Sequence, residues 1–253
     1  MAREVTKTQI DRLGERLKKG NVSEADLQLL DQYRRSFSGA YEMVVGTIQE
    51  KLVQNPAGRP AKSTMSIIEK LRRESIRLTQ IQDIAGCRLL PPNIVYQERD
   101  VQSLKRVFEH VTVVDRREHP SHGYRAVHVI VRHLDRMVEI QVRTILQHVW
   151  AQLSEKASDM IDPTIKYGGG DESTQRLLTD FSSLVADVES LELADANLQE
   201  RWTSSVIPAG EKIQQKMTDL QEVVKKLRGD LFKKLHETIK QVDQSRTINR
   251  ITE

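Results

Sequence analysis

The chain has 253 residues, enough for one or two domains, and its 30% charged and 4% aromatic content calls for an aliphatic core under a heavily charged surface. A single cysteine, Cys87, excludes an intramolecular disulfide and points to a reducing compartment, so the cytoplasm is the expected location. No apolar run is long enough to cross a bilayer, the start MAREVTKTQIDRLGERLKKG lacks the apolar core of a secretory signal, and a formal charge of +3 permits a polyanionic ligand without requiring one.

Residues 5 to 54 read as helical, interrupted at KKGNVSEAD, where Gly20 stops one segment and Ser23 with Asp26 caps the next. NPAGRPAKS (Asn55 to Ser63) reads as a loop from its Pro and Gly, and a helix over 64–74 follows. The period then changes. DIAGCRLL (Asp83 to Leu90), ended by PPN, is a short apolar run and predicts a buried strand; Tyr96 to Glu109 predicts a helix, and a second strand covers 111–117. In VHVIVRHLDRMVEIQVR, Val127, Val129 and Val131 alternate on one face, as do Val138, Ile140 and Val142. That predicts a hairpin of strands at 126–133 and 137–143.

From Thr144 to Met160 the helical period returns, with Ile145, Val149, Leu153 and Ala157 facing inward. DPTIKYGGGDEST (Asp162 to Thr174) reads as a mobile connection, and two further helices, 172–201 and 209–243, are broken by SSVIPAG. Trp150 and Trp202 fall on apolar helix faces and are expected in the core. Leu177, Leu178, Leu184 and Leu191 suit either the core or another protein. The expected division is helices in 1–55, a core in 56–160 and a helical region in 161–253, giving an α+β fold with helices around a mixed sheet.

Four segments carry residues suited to phosphate chemistry, each with a plainer alternative. Lys62, Ser66 and Lys70 recur every four residues near a helix start, a surface fit for polyphosphate or simply a solvated basic face. Asp83, Gly86 and Arg88 either place a carboxylate beside a metal and a phosphate, or form a turn and cap the sheet. Glu139 lies opposite the core valines with Gln141 and Arg143; it is a second metal carboxylate or an exposed partner of Arg143. In SHGYRAVH, Gly123 allows a tight turn, Tyr124 offers a stacking ring and His128 follows on the strand, or both are structural. His119 and His122 lack cysteine partners and make a poor zinc site, and Cys87 in an apolar strand reads as an inert thiol. There is no GxGxxG and no GxxxxGK[ST] loop.

In order, GRPAKSTMSIIEKL, QDIAGCRLL, GYRAVH and VEIQVRTILQHVWAQLSEK resemble the synthetase domain of the RelA/SpoT family over Gly58 to Lys156. The resemblance implies a nucleotidyltransferase-like α+β core and an ATP-dependent pyrophosphokinase. Such an enzyme moves the β,γ-pyrophosphate of ATP to a 3′-hydroxyl, by default that of GDP or GTP, to make the alarmones (p)ppGpp. It implies that Arg59 and Arg88 sandwich the adenine while Lys62, Ser66 and Lys70 hold the ATP phosphates. Asp83 and Glu139 would hold Mg²⁺, with Glu139 activating the acceptor hydroxyl; Tyr124, His128, Gln141 and Arg143 would line the acceptor pocket.

Two departures stand out. An extra residue separates Arg59 from Lys62, and HPSHGY is one residue shorter than the family's usual loop and lacks its Lys and Asn. The family's hydrolase signature is absent, so the chain is similar to a stand-alone small alarmone synthetase. Its loop is closer in character to the toxic branch, which implies the tRNA 3′ end as an alternative acceptor and an antitoxin as partner. A catalytically inactive RNA- or protein-binding module is a further alternative, argued against by the retained carboxylates and lysines. Neither a membrane nor DNA is expected as partner.

Overall fold

The computed structural model describes residues 5–204 and 210–251. They form two units: residues 1–89, 102–114 and 128–141 make one, and 90–101, 115–127 and 142–253 the other. The break at SSVIPAG falls on residues 205–209, outside the described residues.

The first unit opens with α1 (Lys7–Lys19), started by a Thr6–Gln9 capping box and stopped by Gly20 at φ 82°. Left-handed backbone of that kind suits a glycine. α2 (Glu24–Arg35) starts at the predicted Ser23–Asp26 capping box, and Arg16 binds the Asp26 carboxylate at 2.6 Å. The helical stretch does not run unbroken to 54. It breaks at Ser36, whose hydroxyl bonds the Tyr33 carbonyl at 2.6 Å and competes with the helical ladder. It resumes as α3 (Ser38–Thr47) and ends in a single π turn, Ile48–Leu52.

Part of the segment taken for a loop is a strand. β1 (Ala57–Arg59) pairs antiparallel with β2 (Ala85–Leu89) in the register Ala57↔Arg88, Gly58↔Cys87, Arg59↔Gly86. Gly58 makes this possible, since a Cβ there would lie 2.5 Å from the Gly86 carbonyl oxygen. Between them lies α4 (Thr64–Arg73), capped by Ser63. α5 (Ile94–Val107) begins two residues earlier than predicted because Asn93 caps it, its Oδ1 accepting from the Tyr96 amide at 3.1 Å.

β3 (Val111–Asp115), β4 (Val127–His133) and β5 (Arg136–Val142) complete a five-stranded mixed sheet of order β1-β2-β5-β4-β3. The predicted strands agree with this to within two residues. β4 and β5 join through Leu134 and Asp135, at φ 46° and 58°, as a two-residue hairpin requires. Val129, Val131, Val138 and Ile140 are buried on one face, as their alternation dictates.

In the second unit, α6 (Ile145–Met160), α7 (Glu172–Thr203) and α8 (Glu211–Ile251) pack on one another. Their apolar cluster includes Val149, Trp150, Leu153, Phe181, Val185 and Leu235, with Ile145 only half-buried at its margin. Leu178 is buried, whereas Leu177, Leu184 and Leu191 are exposed. Trp202 is not core: it is 36% exposed, one residue from the end of α7. The Asp162–Thr174 segment is anchored rather than loose. Ile165 is fully buried, and Gln175 donates to the carbonyls of Ile165 (2.8 Å) and Gly169 (2.6 Å).

Candidate catalytic site

In the first unit, the chain entering α4 is tied down at both ends of one residue, Lys62. The Lys62 amide donates to the Ile84 carbonyl at 2.6 Å, and Arg34 Nε donates to the Lys62 carbonyl at 2.7 Å. Lys62 and Lys70 then converge on one carboxylate: their Nζ atoms lie 2.5 and 2.9 Å from the two oxygens of Asp83. Burial alone would raise the Asp83 carboxyl, but the two ammoniums outweigh it and hold it below the usual carboxylate range. Ser66 sits on the same α4 turn, its hydroxyl taking a 2.8 Å bond from the capping Ser63.

Glu139 projects from β5 and is 9% exposed. His128 Nδ1 approaches one of its oxygens at 2.7 Å and Gln141 Nε2 donates to the other at 2.7 Å. Burial pushes its carboxyl up and the Asp83 charge pushes the same way, yet the His128 and Gln141 bonds bring it below its ordinary value. Mutual repulsion of the two carboxylates is what a divalent cation relieves. Gly86 sets β2 against β5, since a Cβ there would lie 2.8 Å from the Glu139 carbonyl oxygen. Its small size serves a neighbouring backbone. Arg59 and Arg88 are diagonal neighbours on the β1–β2 ribbon, in the register that puts both on one face. Arg59 is exposed and Arg88 half-buried.

Tyr124 and Arg143 belong to the second unit and pair with each other. Arg143 Nη2 donates to the Tyr124 hydroxyl at 2.7 Å, and its guanidinium carbon lies 4.8 Å from the ring centroid. Arg143 is 5% exposed, buried under the residue it supports. The preceding turn is held by Ser182, whose hydroxyl donates to the Gly123 carbonyl at 2.7 Å. Only glycine fits at 123: φ is 82°, and a Cβ would lie 2.7 Å from the Trp150 ring.

A buried polar network in this unit escaped the sequence reasoning. Gln97 donates to the Val142 carbonyl at the end of β5 (2.7 Å) and to Gln147 (2.9 Å). Thr144 and Gln147 both donate to Glu189 at 2.8 Å. Burial raises the Glu189 carboxyl despite these donors. Its signal in the sequence was faint: an acid among Val185, Val188 and Glu192 on an amphipathic helix.

Three arginines flanking these segments are engaged in ion pairs. Arg117 pairs with Glu98 at 2.6 Å and Asp115 at 2.5 Å, Arg73 with Glu74 at 2.9 Å, and Arg77 with Asp11 at 3.8 Å. Among the described residues no three His, Cys, Asp or Glu side chains form a metal-binding group. Burial lifts the Cys87 thiol to about 12, so it is inert as expected. No helix among the described residues is long and apolar enough to cross a membrane.

The α+β scaffold thus carries two carboxylates, Asp83 and Glu139, with Lys62 and Lys70 both on Asp83. Residues 58–159 match the family model described as the region found in RelA/SpoT proteins. GTP pyrophosphokinase YjbM of Bacillus subtilis is 33% identical over 159 residues, 53% of this chain and 72% of that protein. The chain belongs to the RelA/SpoT family. The uncharacterized protein Rv1366 of Mycobacterium tuberculosis is 38% identical over 113 residues, 42% of this chain and 41% of that one. The chain thus spans about two-fifths of the length of the mycobacterial relatives it matches. The crystal structure of small alarmone synthetase 1 from Bacillus subtilis aligns with 67% of this chain and 99% of its own, at 26% identity and a TM-score of 0.49.

Proposed function

We propose that this chain is an ATP-dependent pyrophosphokinase that moves the β,γ-pyrophosphate of ATP to the 3′-hydroxyl of GDP or GTP, forming (p)ppGpp. The observation that carries this is the pairing of two largely shielded carboxylates with different partners. Asp83 is braced by Lys62 and Lys70, and Glu139 is held by His128 and Gln141. Two lysines on a buried carboxylate are cations kept in place until a polyphosphate arrives, which can replace the carboxylate as their counter-charge.

Asp83 and Glu139 fit Mg²⁺, a hard cation commonly bound through one or two carboxylates plus substrate phosphates. When bound it would neutralise charge developing on the transferred group. Lys62, Ser66 and Lys70 take the ATP phosphates, while Arg59 and Arg88 flank its adenine. Glu139, kept ionised by its partners, accepts the proton of the attacking 3′-hydroxyl. Tyr124, steadied by Arg143, stacks on the acceptor base, and His128 and Gln141 orient Glu139. Positioning and charge neutralisation of this kind are what phosphoryl-type transfer requires.

The tRNA 3′ end is the second acceptor, favoured by a His119–Tyr124 loop with neither lysine nor amide to offer a guanine. Purified protein with labelled ATP and Mg²⁺ is offered GDP, GTP and deacylated tRNA in parallel. The expected product is ppGpp or pppGpp with unmodified tRNA. Labelled tRNA without guanine product reverses the choice of acceptor and implies an antitoxin partner, and no transfer at all leaves an RNA- or protein-binding module.

A further inference from the structure

The helical period that buries one side of α7 leaves a second apolar line on the other. Leu178, Phe181, Val185 and Val188 turn into the apolar cluster of the second unit. Leu177, Leu184, Leu191 and Leu198 follow one another at intervals of seven, and each is 39–49% exposed. Seven residues fall about 20° short of two full turns, so the four leucines run along one nearly straight line of the helix. Leu184 to Leu198 alone spans about 21 Å at 1.5 Å per residue. Single exposed leucines are ordinary, but a continuous apolar line marks a contact surface. Three residues beyond each leucine, on the same exposed face, stand Asp180, Asp187, Ala194 and Arg201 in turn. Over the whole of α7 seven carboxylates face two arginines, which disfavours nucleic acid as the occupant.

We propose that this face of α7 is a homodimer seam, its occupant α7 of a second copy of this chain, antiparallel about a twofold axis at Leu191. The charges select that arrangement. Antiparallel pairing about Leu191 sets Leu191 on its own copy and Leu184 on Leu198 of the second copy. It also brings Asp180 opposite Arg201, and symmetry makes each of these contacts twice. Parallel pairing would set Asp180 on Asp180 and Asp187 on Asp187, like charges facing across the seam. Sliding the antiparallel pair by one turn sets leucines against aspartates, which buries carboxylates without partners. One arrangement thus satisfies both the apolar line and its charges. The seam lies outside residues 58–159, the segment matched to the family, and does not depend on the pyrophosphokinase reading.

The test follows the full chain by analytical ultracentrifugation at micromolar concentration, where it is expected to sediment at twice its chain mass. Leu191→Asp places two carboxylates at the axis and should weaken association at least about thirtyfold. Leu191 is exposed, so thermal melting should stay that of the parent. Asp180→Arg or Arg201→Asp alone should weaken association several-fold, and the two together in one chain should restore it. Cysteine pairs fix the geometry, because native Cys87 is buried and silent toward mild oxidation. Leu191→Cys should form an intermolecular disulfide. Leu184→Cys should form none by itself and should form one when mixed with Leu198→Cys. A monomeric parent overturns the seam and leaves the leucine line to a different protein. A dimer that survives Leu191→Asp overturns it by placing the contact elsewhere, and a disulfide between two Leu184→Cys chains overturns the antiparallel arrangement.

Discussion

Asp83 with Glu139 and Gln97 with Gln147 and Glu189 are both dense polar clusters, yet they are built from different materials. Asp83 is balanced by full charges, Lys62 and Lys70, and each of the three side chains keeps 16–20% of its surface exposed. Gln147 and Gln97 are amides at 1% and 0% exposure; with Thr144 they bond one Glu189 oxygen and the Val142 carbonyl, while the other Glu189 oxygen lies 3.7 Å from Arg125. Ions at the edge of solvent can exchange one counter-charge for another, which suits a site that must admit a polyphosphate. Closed amide networks cannot exchange partners without leaving a buried group unbonded, which suits a structural joint. On the proposed function, the first cluster is made for turnover and the second for rigidity.

Glu139→Gln should break the first cluster most severely. The amide keeps the shape but loses the charge that accepts a proton, so transfer from ATP should fall roughly a hundred- to ten-thousandfold. Circular dichroism and thermal melting should remain those of the parent. Near-normal transfer would remove Glu139 from the chemistry.

Tyr124→Ala sharpens the contrast from the acceptor side. Stacking on a base contributes about 1–3 kcal/mol, so kcat/KM for the acceptor should fall by that amount while ATP affinity holds. Equal losses for acceptor and ATP would make Tyr124 structural.

Gln147→Leu attacks the closed network and should behave in the opposite way. Gln97 and Glu189 would lose a partner in a buried setting, at a cost of about 1–3 kcal/mol in urea unfolding. Transfer per folded molecule should change far less than in Glu139→Gln. A stable but inactive variant would show that this network, too, is catalytic.

The smallest effect is expected at Glu189→Gln. Burial raises the Glu189 carboxyl above its unfolded value. Its favourable contribution is therefore complete below the unfolded pKa and is lost as pH rises through the higher folded one. The glutamine variant, which has no proton to lose, should gain on the parent between acid and neutral pH. A stability difference that does not change with pH would show that Glu189 titrates normally.

Local spacing carried much of this protein in its sequence. Alternating valines determined which face of β4 and β5 is buried, and so the face that bears His128, Glu139 and Gln141, because a strand repeats every two residues. Helical spacing put Lys62, Ser66 and Lys70 on one side of α4's start, and Gly20 and the Ser23–Asp26 box marked helix ends by their own backbone chemistry. These features depend on neighbours within a turn or two of chain.

Only the tertiary structure decided the rest. Gly58 reads as loop until β2 comes within van der Waals contact of it. Arg117 looks like a free cation until Glu98 arrives from α5. The tie from the Ile94 amide to Glu192 spans 98 residues, and that from Gln97 to Val142 spans 45. Charges, amides and small residues have no fixed partner in a sequence. Packing selects the partner, because a buried polar group must be satisfied by whatever the fold brings near.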